Sequence, residues 1–413
     1  MKRIPLLLIF MFIVSFSCQA EKKDWVYYSF FDQQIFPSYA WSTAQLANDL
    51  STNEAGNFYG DGNAQIGVIF PKLSKGSQVK IVVESSEILT TSTLEFEMAA
   101  TREMFFAAPQ LLYNWTALNS WKQPKPVPIK ISVYIDGKFT GEETKNITVR
   151  SINDCPFIAV TEFGTIIDMN YVYTAYVNEN HPIISNKILP EIMQQNVISK
   201  VTGYMGSRDD VYKQVYAVWH YFNSKNFNYS SLSSYFKGDL GDFPNVSAQF
   251  VRTFEEVYNT RQANCVEGTI LMASILMRMG IDPYLITTPN HCYLGFSVDG
   301  SEQNLSYIET TLLGEDLAKQ DPKTQELCAS VKLTDSDIFM RLSFGKNTYD
   351  NFIWALLVGE QNWNDDEARY SAENEGASFQ VNETSVFEKY EQLNYQKLSV
   401  KKYRKMGLLP LNH

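Results

Sequence analysis

The sequence predicts an α+β protein: an N-terminal antiparallel β-sandwich, then a mixed domain of helices and strands. Three observations carry that prediction. Between residues 24 and 156 apolar residues alternate or run in short stretches broken by turn signals, as antiparallel strands do. After Cys155 their spacing changes to the three-to-four-residue period of helices. The stretch 264–311 then combines one apolar helix with three short strand-like runs.

In the first region, residues 79–84 (VKIVVE), 94–98 and 129–134 (IKISVY) read as strands. Asp136-Gly137 is a hairpin signal, with 144–149 as the returning strand. Sandwich packing is the natural solution for such a set. Tyr27, Tyr28, Phe30, Phe31, Trp41, Phe58, Tyr59 and Trp121 could line a carbohydrate or protein contact; sandwich core and edge positions are the simpler reading. Further on, 183–200 and 209–222 read as helices. The second carries an apolar stripe of Val211, Val215, Val218 and Phe222. A polar loop (230–245) that could border a cleft and a helix over 249–260 lead towards Cys265. Beyond 311, helices are expected at 348–357 and 361–370. The acidic stretch 362–375 matches no EF-hand spacing and reads as a solvated face. The tail 398–413 is basic with an apolar end.

With 413 residues, 45% hydrophobic and 20% charged, the chain is long enough for more than one core and has no signature of disorder. A net charge of −11 argues against a nucleic-acid partner. Lys2 and Arg3 precede an apolar run over 4–16, a secretion signal too short to be a stable membrane span. Cys18 follows directly, which suggests lipoprotein processing with Cys18 as the lipidated anchor, although Ser15 stands where such signals usually have Leu. Cleavage after Ala20 is the rival. These readings predict a cell-envelope or outer-membrane lipoprotein tethered through Cys18, with a signal over 1–17, the sandwich over 18–156, the mixed domain over 157–320 and a helical or mixed extension over 321–413.

Five cysteines are present. With Cys18 lipidated and Cys265 reserved for chemistry, Cys155, Cys292 and Cys328 leave room for one disulfide whose pairing the sequence does not specify. Four histidines and the spare cysteines lack metal-ligand spacing, so neither metal nor cofactor is expected. His181, before a proline, and His220, within a helix, read as structural.

Asn264 and Glu267 form a capping pair that starts a helix with Cys265 in its first turn. Residues 266–279 are apolar nearly all round, which predicts a buried helix, and Gly280 with Asp282-Pro283 ends it. Strands are expected at 284–288, 292–298 and 305–311, with Asp299-Gly300 between the last two. His291 lies nine residues before Gly300 and Glu309 nine after it. A turn centred on Gly300 would make them direct cross-strand neighbours on one face. That requires an odd loop or a bulge, because a two-residue turn would pair His291 with Ile308. Cys292 would then point to the opposite face, as core or disulfide partner. The arrangement is that of a thiol nucleophile, an imidazole base and a carboxylate that orients it. The Cys265 N–H is a ready oxyanion donor, and Gln262 is a candidate second donor.

The motifs C-V-E-G-T, M-G-I-D-P, N-H-C-Y and Y-I-E-T-T, in that order and spacing, resemble the transglutaminase-like superfamily, a papain-related group of cysteine acyl-transfer proteins. Glu309 stands where the commoner residue is Asp, which resembles a bacterial subgroup ending in E-T-T. The pieces YVNENHP, GYMGS, QVYAVWHYF and NYS, between 175 and 231, resemble the helical lead-in of that subgroup. The resemblance implies a transglutaminase-like (papain-like) α+β domain with Cys265, His291 and Glu309 as the triad. It implies thiol acyl transfer on peptide or amide bonds of a protein or peptide substrate, with hydrolysis favoured over crosslinking. A catalytically silent surface lipoprotein that binds peptide or glycan is the alternative.

Overall fold

Alternating burial along the first strands sets the architecture. In Gln78–Ser85 the side chains of Val79, Ile81 and Val83 are buried while Lys80 faces water, the two-residue period of a half-buried strand. The computed structural model describes residues 24–46, 58–160, 165–230, 235–237, 246–370, 378–380 and 391–411. The signal segment, Cys18, most of the polar loop 230–245 and part of the acidic stretch 362–375 lie outside the described residues. The protein is of mixed α+β class, built on several antiparallel sheets.

Two sheets make up the N-terminal region. A four-stranded one orders Val26–Ser29, Ile66–Leu73, Arg102–Ala108 and Phe58–Gly60. A six-stranded one orders Gln34–Ile35, Lys138–Val149, Lys125–Ile135, Gln78–Ser85, Leu89–Glu97 and Leu112–Tyr113. Their buried residues, among them Val68, Phe70 and Phe105 of the first and Ile81, Ile129 and Val133 of the second, form one apolar cluster. Asp136-Gly137 makes the expected two-residue hairpin: Ile135 pairs with Lys138, and both turn residues take positive φ, 50° and 73°.

In the second region the helix Arg208–Ser224 begins with a capping box between Ser207 and Asp210. It buries its predicted stripe, Val211, Val215, Val218 and Phe222. The segment 183–200 is helical only to Gln194, as a π turn (Ile184–Ile188) running into Leu189–Gln194. Residues 249–260 do not form one helix. Val246–Phe250 is a strand paired with Asp154–Val160, and a Thr253–Glu256 capping box starts a shorter helix at Phe254–Thr260. The apolar helix predicted after Asn264 is Cys265–Arg278, buried as expected and ended by Gly280 at φ 82°. It packs on a four-stranded antiparallel sheet ordered Leu305–Ile308, His291–Ser297, Pro283–Thr288 and Gln396–Ser399.

The C-terminal residues share this core. Met340, Tyr349, Phe352, Leu398, Val400, Leu408 and Leu411 belong to the same apolar cluster as the Cys265–Arg278 helix. The two helices expected at 348–357 and 361–370 are one continuous helix, Lys346–Asp366. Gly359 lies at its point of closest approach to the sheet. A Cβ there would stand 2.6 Å from the Ile308 nitrogen and 2.6 Å from the Tyr307 carbonyl carbon. Around that contact Glu360 accepts hydrogen bonds from Ser306 Oγ (2.8 Å) and from the Tyr307 N–H (3.2 Å). The Asn351 side chain joins the Trp219 indole (2.9 Å) to the carbonyls of Leu312 and Glu315.

Gly359→Ala should therefore push the long helix off the strand Leu305–Ile308. The expected loss is about 1–3 kcal/mol, the usual cost of overpacking. Urea denaturation of parent and variant measures it, and an unchanged midpoint would contradict the contact.

Candidate active site

Two residues fix where the Cys265–Arg278 helix begins. Asn264 Oδ1 accepts the Glu267 N–H (2.9 Å), and Glu267 Oε2 accepts the Asn264 N–H (3.0 Å), closing the predicted box. Glu267 is only 2% exposed, and a carboxylate so buried needs compensation. Arg252 supplies it: its backbone N–H and Nε reach Oε1 (3.0 and 2.9 Å), and Nη2 reaches Oε2 (2.6 Å). The same guanidinium holds the Gln262 carbonyl (2.9 Å), so the chain is gripped on both sides of the cap. Between these points Arg261 turns the backbone at φ 56°, and Gln262–Ala263 pairs in parallel with Asn228–Tyr229. Cys265 then stands half-buried in the first helical turn, where backbone N–H groups have no partner within the helix.

The motif Glu309-Thr310-Thr311 does three separate things. Glu309, 3% exposed, places Oε2 2.6 Å from His291 Nε2. Its Oε1 accepts the N–H (3.0 Å) and the hydroxyl (2.7 Å) of Thr311. Thr310 Oγ1 touches Thr269 Oγ1 (3.1 Å) and lies 3.5 Å from the Cys265 carbonyl, locking the turn to the start of the helix. Asn362, from the long C-terminal helix, donates a further hydrogen bond to Glu309 Oε2 (3.1 Å). The Glu309 N–H is held by the Ala355 carbonyl of that helix (2.9 Å).

The hairpin register differs from the expected one. Leu294 pairs with Ile308 and Ser297 with Leu305, so the loop spans 299–303 and centres on Ser301. Continuing that register sets Glu309 opposite Tyr293, with His291 its diagonal neighbour. The odd loop keeps both on one face, and the longer Glu side chain crosses the diagonal. Serine chemistry explains the extra loop residues: Ser297 Oγ accepts the Gly300 N–H (2.8 Å), and Ser301 Oγ accepts those of Gln303 and Asn304. The third strand also stops at Ile308 rather than 311, because Glu309 caps a 3-10 turn over Thr310–Leu312.

The His291 ring is bonded to Glu309 and feels Cys265 as well. Burial alone would lower its pKa, but interactions with Cys265 and Glu309 outweigh burial and push it up to about 10. Tyr229, which the sequence offered only as part of NYS, stands beside this group. It is 42% exposed, it pairs with Ala263 two residues before the thiol, and it feels the charges of both Cys265 and Glu309. Gln262 is exposed and gives its carbonyl to Arg252.

The other singled-out residues fall elsewhere. Cys292 is buried against the central helix, where the Thr269 hydroxyl lies 3.4 Å from its carbonyl oxygen. Cys155, Cys265, Cys292 and Cys328 are all free thiols. His181 is buried and stacks on Phe254, with Nδ1 accepting the Ile183 N–H. His220 packs between Tyr216 and Phe344, and burial lowers its pKa. Among the described residues no three His, Cys, Asp or Glu side chains converge as metal ligands would. No helix among them is long and apolar enough to cross a membrane.

No family model matches the chain. No curated protein matches it either.

Because folding favours the charged His291 ring, its contribution to stability is full below its unfolded pKa of about 6.5. That contribution is lost as pH rises through about 10. Glu309→Gln removes the partner carboxylate. An NMR titration of the His291 ring should then show its midpoint at least about one pH unit lower. An unmoved midpoint would separate Glu309 from the ring's charge. Arg252→Met, which strands Glu267, should cost roughly 2–4 kcal/mol in denaturant unfolding, somewhat less than a fully buried pair because the guanidinium is partly wet.

Proposed function

We propose that this chain is a transglutaminase-like cysteine acyl-transfer enzyme, exported and anchored to the cell envelope through a lipid on Cys18, acting on peptide or amide bonds of a protein substrate. The observation that carries the reading is the His291 ring, bonded at 2.6 Å to the buried, four-fold hydrogen-bonded carboxylate of Glu309 and close enough to Cys265 to interact with its sulfur electrostatically. A thiol, an imidazole and a carboxylate linked in that order are the working parts of nucleophilic catalysis by cysteine.

The chemistry follows from those parts. Glu309 and Cys265 favour the protonated His291 ring, and acyl transfer by this pair takes the sulfur as the nucleophile beside an imidazolium. The thiolate attacks the carbonyl carbon, forming the C–S bond as the carbonyl electrons move to oxygen. The Cys265 N–H, at the start of the helix, is the donor available to that oxyanion. As the C–N bond breaks, His291 gives its proton to the departing amine and a thioester remains. A water molecule, losing a proton to His291, then attacks the thioester and releases the acid and the thiolate. An amine in place of water would give transamidation; the half-buried, solvent-reached thiol supports hydrolysis.

Iodoacetamide labelling of Cys265, followed by site-resolved mass spectrometry, tests the reading. Labelling should be fast at about pH 6 in the parent and lost in His291→Ala. Slow labelling that rises only above about pH 8 and ignores the mutation would remove the enzymatic reading. It would leave a silent peptide- or glycan-binding module.

A further inference from the structure

The backbone of Tyr229 is held firmly while its ring is left unused. Asn228–Tyr229 pairs in parallel with Gln262–Ala263, closed by the Asn228 N–H on the Arg261 carbonyl (3.0 Å) and the Ser230 N–H on the Ala263 carbonyl (2.8 Å). That register sets Tyr229 opposite Ala263, two residues ahead of the thiol. The same short strand lies beside the turn Thr310–Leu312, which Glu309 caps. Tyr229 is thus placed against both segments that present the reactive side chains, and Cys265 and Glu309 both act on its hydroxyl electrostatically.

A ring in this place that served only the fold would be covered. Tyr229 is 42% exposed, and among the described residues its ring meets no other ring and its hydroxyl makes no hydrogen bond. Tyrosine offers a large, rigid apolar face at small entropic cost, with two side-chain torsions to fix, and covering such a face with apolar surface is favourable. Geometry brings a substrate to it. An extended peptide advances roughly 3.3–3.6 Å per residue, and the thiol is two residues along the chain from the partner of Tyr229. A peptide whose carbonyl sits on the sulfur therefore carries its neighbouring side chains within reach of the ring.

We propose that Tyr229 is a specificity-determining residue of the acyl-transfer site, its exposed ring packing against a bulky apolar side chain next to the scissile bond. Peptides with an aromatic or branched aliphatic residue there are then preferred over those with glycine. The identity of the substrate as a peptide rests on the acyl-transfer reading, whereas the ring contact can be measured without turnover.

Alkylation of Cys265 in the full chain measures it, using N-(2-phenylethyl)iodoacetamide and N-isobutyliodoacetamide against iodoacetamide. Each rate is divided by that of the same reagent with glutathione, and site-resolved mass spectrometry separates Cys265 from the other thiols. In the parent at least one apolar reagent should be favoured by about threefold or more. Tyr229→Phe should keep that preference and Tyr229→Ala should abolish it. Tyr229→Gln, a polar side chain of similar reach, carries the same expectation as Tyr229→Ala if the alanine variant misfolds. No preference in the parent, a preference that survives both Tyr229→Ala and Tyr229→Gln, or its loss in Tyr229→Phe would each overturn the proposal. The two readings fail separately. Slow labelling that ignores His291→Ala, with the ring-dependent preference intact, would remove the enzymatic reading and support the ring contact. Fast, His291-dependent labelling without preference would overturn the ring contact alone.

Discussion

The buried carboxylate of Glu267 is the constraint on which the candidate site rests. It is removed from water at the start of a helix buried along most of its length, and such a group is tolerated only when its oxygens are fully occupied. The Asn264 amide, the Arg252 amide and the Arg252 guanidinium occupy them. That set has one consequence for geometry. The residue after Asn264 begins the helix, and that helix packs on the strand that His291 starts. Movement of the cap by one residue would carry the thiol away from the ring.

Glu309 repeats the same solution on the other side of the ring. Its four hydrogen bonds come from Thr311, His291 and Asn362, so the carboxylate is fixed before it acts on the imidazole. A positioned base depends on such outer contacts as much as on its own chemistry. Here they are drawn from distant parts of the sequence. Asn362 arrives on a helix that reaches the strand Leu305–Ile308 only because Gly359 lacks a side chain at the contact.

Much of this was legible in the sequence, for physical reasons that differ from residue to residue. The capping pair at Asn264 and Glu267, the stop at Gly280 and the Asp136-Gly137 hairpin are local rules, set by backbone hydrogen bonding and permitted φ, and they need no tertiary context. The same-face relation of His291 and Glu309 was accessible through parity, whereas the shift of the loop centre to Ser301 depended on serine side chains competing for turn amides. Residues 249–260 misled because apolar periodicity over a short window suits a strand followed by a helix as well as one helix. Arg252 and Asn362 carried no pattern at all. Each is a polar residue inside a segment expected to be helical, and each acquires its role through a contact outside that segment which the fold creates.

The strand Gln396–Ser399 lies on the outer side of Pro283–Thr288 and completes the sheet that carries His291. A ribosome releases the thiol, the imidazole and Glu309 well before this strand and the helix bearing Asn362. Through that interval Pro283–Thr288 presents a bare edge, open to pairing with any extended segment nearby, and Glu309 lacks part of its shell. The group around Cys265 therefore matures only once the chain beyond residue 399 has emerged, about 130 residues after the thiol itself.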